Sequence, residues 1–302
     1  MDNPFYDFSP TPRRPRLELP NGARVAFWAA INIEYYPFGR PGISISPPTA
    51  SMVPDPANQG WRDYGPRVGV WRLMAALDAN GMRASVLLNS EVCAQYPEII
   101  EEGNKRKWAW LAHGKNNSIL QVNMSEVDER KYLDEMLREI ESGTGRRPKG
   151  WLGPALSETD NTTNLLAELG VTYNCDWCCD DQPFPMHVKT GKMISVPYSV
   201  DLNDITLFFN KNLSGDDFYQ LVVDQFDVLY REGSTSGRVM ALCLHPFIIN
   251  QPFRQKYLEK ALAYVSGHDG VWLATSDEIA EWYYERYYSA AVSNRETAPV
   301  GR

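Results

Sequence analysis

Val239-Met240-Ala241-Leu242-Cys243-Leu244-His245-Pro246 decides the fold. Six apolar residues between Gly237 and Pro246 read as a strand covered on both faces, the mark of a parallel sheet rather than an alternating, half-wet one. The strand ends in an imidazole, and the proline after it stops the ladder and turns the chain outward. In parallel α/β folds the carboxyl ends of the strands open onto the ligand site. His245 is therefore either a catalytic group or a strand-end histidine bonded to a neighbouring loop.

The flanks repeat the pattern. Upstream, 215–231 carries Phe218, Leu221, Val222, Phe226 and Leu229 at helical spacing, and downstream come a helix over 252–266, a strand over 271–274 and a helix over 276–288. Toward the N-terminus, 24–33 is a first buried strand delivering Glu34 and Tyr35. Further strands follow at 84–88, 108–112, 150–152, 171–174 and 193–197. Between them the pattern predicts helices over 70–81, 91–103, 125–143 and 161–169, with Gly81 and Ser125 as cap signals. Residues 37–69, dense in Pro, Gly and Ser with no period, read as a functional loop over the strand ends. The expectation is α/β: one distorted (β/α) barrel of seven to eight parallel strands over 24–288, an extended arm over 1–23 tied down by Phe5, Tyr6 and Phe8, and a polar, frayed tail over 289–302.

The 302 residues carry a net charge of -8 with both signs interspersed, which offers no electrostatic footprint for nucleic acid or an anionic membrane. No membrane span or secretory signal is legible, so the expected compartment is the cytoplasm. Five cysteines include one Cys-x-x-Cys (Cys175, Cys178) and no second pair to complete a zinc site, so reduced thiols are expected.

Asp63-Tyr64-Gly65-Pro66-Arg67-Val68-Gly69-Val70-Trp71-Arg72-Leu73, Arg147-Pro148-Lys149-Gly150-Trp151, Val196-Pro197-Tyr198-Ser199-Val200-Asp201-Leu202-Asn203-Asp204, Phe226-Asp227-Val228-Leu229-Tyr230-Arg231-Glu232-Gly233 and Leu242-Cys243-Leu244-His245-Pro246 occur in that order. Through them the chain resembles the polysaccharide-deacetylase (NodB-homology) superfamily over about residues 20–284, closest to the branch of metal-independent allantoinases and cyclic imide hydrolases. Metal-dependent members end their first strand in paired aspartates and bind a divalent ion with one of these and two histidines spaced i, i+4. Here Glu34 stands near the ligand aspartate with no aspartate beside it. His113-Gly114-Lys115-Asn116-Asn117 puts asparagine where the second histidine belongs. A neutral amide oxygen is a poor zinc donor in place of imidazole, so the resemblance implies no tight zinc, with Glu34, His113 and Asn117 as a weaker alternative metal set.

Without a metal, amide hydrolysis needs a group to deprotonate water, donors for the oxyanion and an acid for the leaving nitrogen. His245, with an ordinary pKa of about 6.5, can act as base and then as acid. Glu34 can orient an imidazole or the water, and His113 is either a second proton carrier or a substrate donor. Candidate substrate contacts are Tyr35, Lys115, Asn117, Trp151, Tyr198, Asp201 and Phe247. Trp177 and Asp204 are weighed against ordinary core, capping or loop-closure roles. The leading expectation is a hydrolase of non-peptide carbon–nitrogen bonds in a small cyclic amide, imide or ureide, needing no cofactor. One alternative is a metal-dependent N-deacetylase of an amino sugar or small acetamide; another is a non-catalytic binding barrel. The expected partner is a small-molecule substrate, and the resemblance implies a homo-oligomer, for which the arm and the 37–69 loop are interface material.

Overall fold

The computed structural model describes residues 3–297; residues 1–2 of the expected arm and 298–302 of the expected tail lie outside it. In chain order the strands are β1 (Val25–Ile33), β2 (Ala84–Leu88), β3 (Ala109–Ala112), β4 (Gly150–Trp151), β5 (Tyr173–Asn174), β6 (Phe184–Pro185), β7 (Ile194–Ser195), β8 (Arg238–Leu244) and β9 (Val271–Leu273). They form one curled sheet in the order β6-β7-β5-β4-β3-β2-β1-β8, with β9 paired to the start of β1. All described pairings are parallel except β6 on β7. The rim between β7 and β8 is drawn together by a parallel bridge from Asn203 to Cys243 and by the Val239 N–H donating to the Asp181 carbonyl at 2.8 Å. This is the expected distorted (β/α) barrel, with a short antiparallel strand added.

The helices are α1 (Pro56–Tyr64), α2 (Val70–Ala79), α3 (Val92–Gln95), α4 (Pro97–Lys105), α5 (Glu126–Thr144), α6 (Thr162–Glu168), α7 (Gly215–Gly233), α8 (Pro246–Ile249), α9 (Pro252–Ser266), α10 (Ser276–Tyr283) and α11 (Ser289–Thr297). Two expectations are corrected. The 37–69 loop contains α1, started by the Asp55 carboxylate accepting from the Asn58 N–H with Pro56 at the first turn. It then runs through a π-turn, 65–69, directly into α2. The tail from Ser289 is helical to Thr297 and continues the preceding helix. Among the described residues no helix is long and apolar enough to cross a membrane, and all five cysteines are free thiols.

Strand alternation decides what faces the barrel axis. Val25, Phe27, Ala29, Ile31 and Ile33 of β1 join the layer under the helices, whereas Ala26, Trp28 and Ala30 join a separate inner cluster. β8 divides likewise, with Val239, Ala241 and Cys243 inside, and β3 places Ala109 and Leu111 inside. Carried past the strand ends, this inward series names Asn32 and Glu34, His113, and His245. Register brings those ends level: Ile31 pairs with Leu244, Ile33 with Leu88, and Leu88 with Ala112.

The corner after β8 is tightly packed. A Cβ on Gly69 would lie 2.1 Å from the Pro246 carbonyl oxygen, so only glycine lets the π-turn approach the residue that follows His245. Phe247 stands edge-on to Trp61 of α1, with ring centres 4.9 Å apart, and packs on the His245 ring at 5.8 Å. The arm is anchored by Phe5 and Tyr6 against Trp177, by Arg14 paired to Asp180, and by buried Leu17 and Leu19. Phe8 is 69 % exposed and takes no part.

Candidate active site

Glu34 lies between two imidazoles. Its Oε1 is 3.5 Å from His113 Nε2 and 3.6 Å from His245 Nε2, and its Oε2 accepts a 2.6 Å hydrogen bond from the Tyr36 hydroxyl. The far nitrogen of each imidazole is fixed. His113 Nδ1 donates to the Leu152 carbonyl at 2.7 Å, and because a carbonyl only accepts, that nitrogen carries the proton. His245 Nδ1 meets Asp204 Oδ1 at 2.6 Å, while Asp204 Oδ2 accepts the His245 backbone N–H at 2.7 Å. One carboxylate thus holds both the ring and the backbone of His245. The Asn203–Cys243 bridge delivers Asp204 there.

The group is almost entirely out of water: His245 is 3 % exposed, His113 2 % and Asp204 0 %. Burial opposes a charge on His245, but the Asp204 and Glu34 carboxylates outweigh it and push its pKa up to about 10. Burial likewise opposes ionisation of Glu34, and here the His245 imidazolium foremost prevails, holding the carboxyl well below its ordinary range. Burial and the charge of Glu34 raise the Tyr36 phenol well above 10, so it stays a donor. At neutral pH the centre holds an imidazolium on His245 facing the carboxylate of Glu34. His113 Nε2 has no hydrogen-bond partner.

These groups line a cavity of about 420 Å³ whose walls also include Asn32, Tyr36, Ile43, Asn117, Leu120, Leu152, Leu156, Tyr198, Asn203 and Ile205. Among the described residues no lysine or arginine lines it. Of the sequence candidates, Glu34, His113, His245, Asn117 and Tyr198 meet in this cavity. The Tyr198 hydroxyl accepts from the amides of Asn32 (3.2 Å) and Asn203 (3.4 Å). Five others lie outside the lining. Tyr35 points away and packs on Tyr96, and the Lys115 ammonium pairs with Glu135 and Glu139. Trp151 is wholly buried with its indole N–H on Asp176. Asp201 is exposed beside Lys211, and Phe247 sits behind His245. Trp177 is covered by the arm. Tyr36 and Asn32 were not among the candidates, although the inward series of β1 reaches both.

A metal would need converging donors. Among the described residues no group of three or more His, Cys, Asp or Glu is disposed to hold one. Asn117 turns its amide oxygen to the Asn89 amide N–H (2.9 Å), and Tyr36 occupies Glu34 Oε2. Glu34, His113 and Asn117 do not fit a metal in this arrangement.

The barrel and its strand-end site define a class that comparison with known proteins narrows. Residues 62–174 match the family model of polysaccharide deacetylase. The chain is similar to the crystal structure of a probable polysaccharide deacetylase from Pseudomonas aeruginosa PAO1 (28 % identity, TM-score 0.82, covering 91 % of this chain and 95 % of that one). It is equally similar to PuuE allantoinase (27 % identity, TM-score 0.82, the same coverage). A peptidoglycan deacetylase of Helicobacter pylori is 24 % identical over 208 residues, 58 % of this chain and 70 % of that protein. These likenesses are to polysaccharide deacetylases and to an allantoinase, over nine-tenths of this chain for the two solved structures.

Proposed function

We propose that the protein hydrolyses a ring carbon–nitrogen bond in a small, uncharged cyclic amide, imide or ureide, using side chains alone. The observation that carries this reading is the Glu34 carboxylate set between the inward nitrogens of His113 and His245 in a cavity without lysine or arginine. An anionic substrate would meet the Glu34 carboxylate, and the His245 imidazolium is already paired with Glu34 and Asp204; about 420 Å³ suits one small ring.

The proton positions assign the roles. In the neutral ring, His113 Nε2 carries the lone pair and takes a proton from water as its oxygen bonds to the ring carbonyl carbon. Glu34 holds the water and offsets the charge gained by His113. His245, already protonated, enters as the acid rather than the base: it donates first to the developing oxyanion and then gives its proton to the nitrogen as the carbon–nitrogen bond breaks. Proton return from His113 to His245 along Glu34 restores the resting site. A ring substrate eases the last step, because its nitrogen leaves as a stabilised amide and remains tethered to the product.

A panel of hydantoins, succinimides, dihydropyrimidines, allantoin, N-acetyl amino sugars and simple acetamides tests the reading. Ring opening of one of the cyclic compounds, with little action on the N-acetyl compounds, is expected. Turnover confined to N-acetyl sugars would refute it.

A further inference from the structure

We infer that Asp176 positions His113 by clamping the far side of the peptide on which His113 rests. Leu152 and Gly153 share one peptide unit. Its carbonyl accepts the His113 Nδ1–H at 2.7 Å, and its N–H donates to Asp176 Oδ1 at 2.7 Å. In a trans peptide these two groups point in opposite directions. Asp176, the peptide and the imidazole therefore form one hydrogen-bonded chain, in which each bond polarises the next. The chain makes the Leu152 carbonyl a better acceptor, which favours the His113 tautomer with its lone pair on Nε2, aimed at the cavity.

The surroundings show that this peptide is held rather than merely packed. The other oxygen of Asp176 accepts the Trp151 indole N–H at 2.8 Å. Asp176 also shares a hydrogen bond with Glu158, whose carboxyl is tied to Asn174 and, at 2.9 Å, to Thr163. Two carboxyls can bond to each other only if one carries a proton. Beyond the peptide, Ala155 (φ 56°) and Leu156 (φ 53°) adopt the left-handed region that side chains disfavour, and Pro154, Ala155 and Leu156 form a cavity wall. A strained turn next to the reactive imidazole needs an anchor, and Asp176 supplies it.

The inference rests on His113 acting in the proposed hydrolysis, but its test does not need a substrate. The chain contains four histidines, so ring nitrogen shifts from 15N NMR resolve each one, with His113→Gln giving the assignment. In the wild type, His113 is expected to show a protonated Nδ1 and a lone-pair Nε2. Asp176→Ala should shift it toward a mixture of tautomers and lower kcat about 10- to 100-fold, the usual cost of removing a group behind a reacting histidine, with KM changed less than kcat. Asp176→Asn keeps an amide oxygen for Gly153 and an N–H for Glu158 but sets that N–H against the Trp151 indole donor, so it should restore the His113 tautomer while recovering only part of kcat. If the alanine variant does not fold, Asp176→Ser, whose hydroxyl stops one bond short of both donors, takes its place. Unchanged His113 shifts in a folded Ala or Ser variant would overturn the inference, as would an Asn variant whose His113 shifts match those of Ala. If no compound in the panel is hydrolysed, the NMR result still decides the role of Asp176, and only the reading of the reaction fails.

Discussion

Replacing His245 with alanine should lower turnover of the ring substrate by about 10³-fold or more, at the upper end of what a single proton-transfer group contributes. The expectation is large because His245 serves twice, as donor to the oxyanion and as acid for the leaving nitrogen. Asp204 is spent on the His245 ring and backbone, and the Lys115 ammonium is paired with Glu135 and Glu139. Since the required form is the imidazolium and its pKa is raised to about 10, kcat/KM should fall as pH rises through about 10. Activity that does not fall as pH rises through about 10, or substantial turnover by a folded His245→Ala variant, would contradict the assignment.

Glu34→Gln should be nearly as severe, with a loss of about 10² to 10⁴, and it carries a second signature. Glu34 is one of the two carboxylates that overcome the burial of His245. Neutralising it leaves Asp204 alone against desolvation, so the pKa of His245 should fall toward its ordinary value. The upper limb of the pH profile then moves to lower pH. The glutamine also swaps one oxygen for an amide, which breaks either the contact with the two imidazoles or the bond from Tyr36. A slower variant whose upper limb stays at about 10 would mean that Glu34 acts on the water without setting the charge of His245.

Much of this centre is legible in the sequence alone. β1 and β8 announce themselves as unbroken apolar runs, and the groups directly after the runs near 33, 112 and 244 are the ones that meet. Period-two alternation reaches further than strand ends alone. Counting inward from Ala26 through Trp28 and Ala30 reaches Asn32, Glu34 and Tyr36, and leaves Tyr35 facing Tyr96. The same parity sends Leu152 inward and Trp151 outward.

Other features obey no period. Gly114 has φ 69°, which breaks the alternation after His113 and turns the Lys115 side chain out to α5. Asp201 and Asp204 lie three residues apart in one irregular loop, and only the bridge to Cys243 decides which of them reaches His245. Helix α1 was hidden because the apolar content of 56–64 is low. Its signal lay in the Asp55-Pro56 start rather than in hydrophobic spacing.

Turnover by metal-stripped protein tests the central claim most directly. The protein would be dialysed against a strong chelator, its metal content measured, and ring opening of the best cyclic substrate compared before and after. Side-chain catalysis by Glu34, His113 and His245 predicts full activity with less than a stoichiometric trace of any divalent ion. Loss of activity that returns on adding a divalent metal would contradict it.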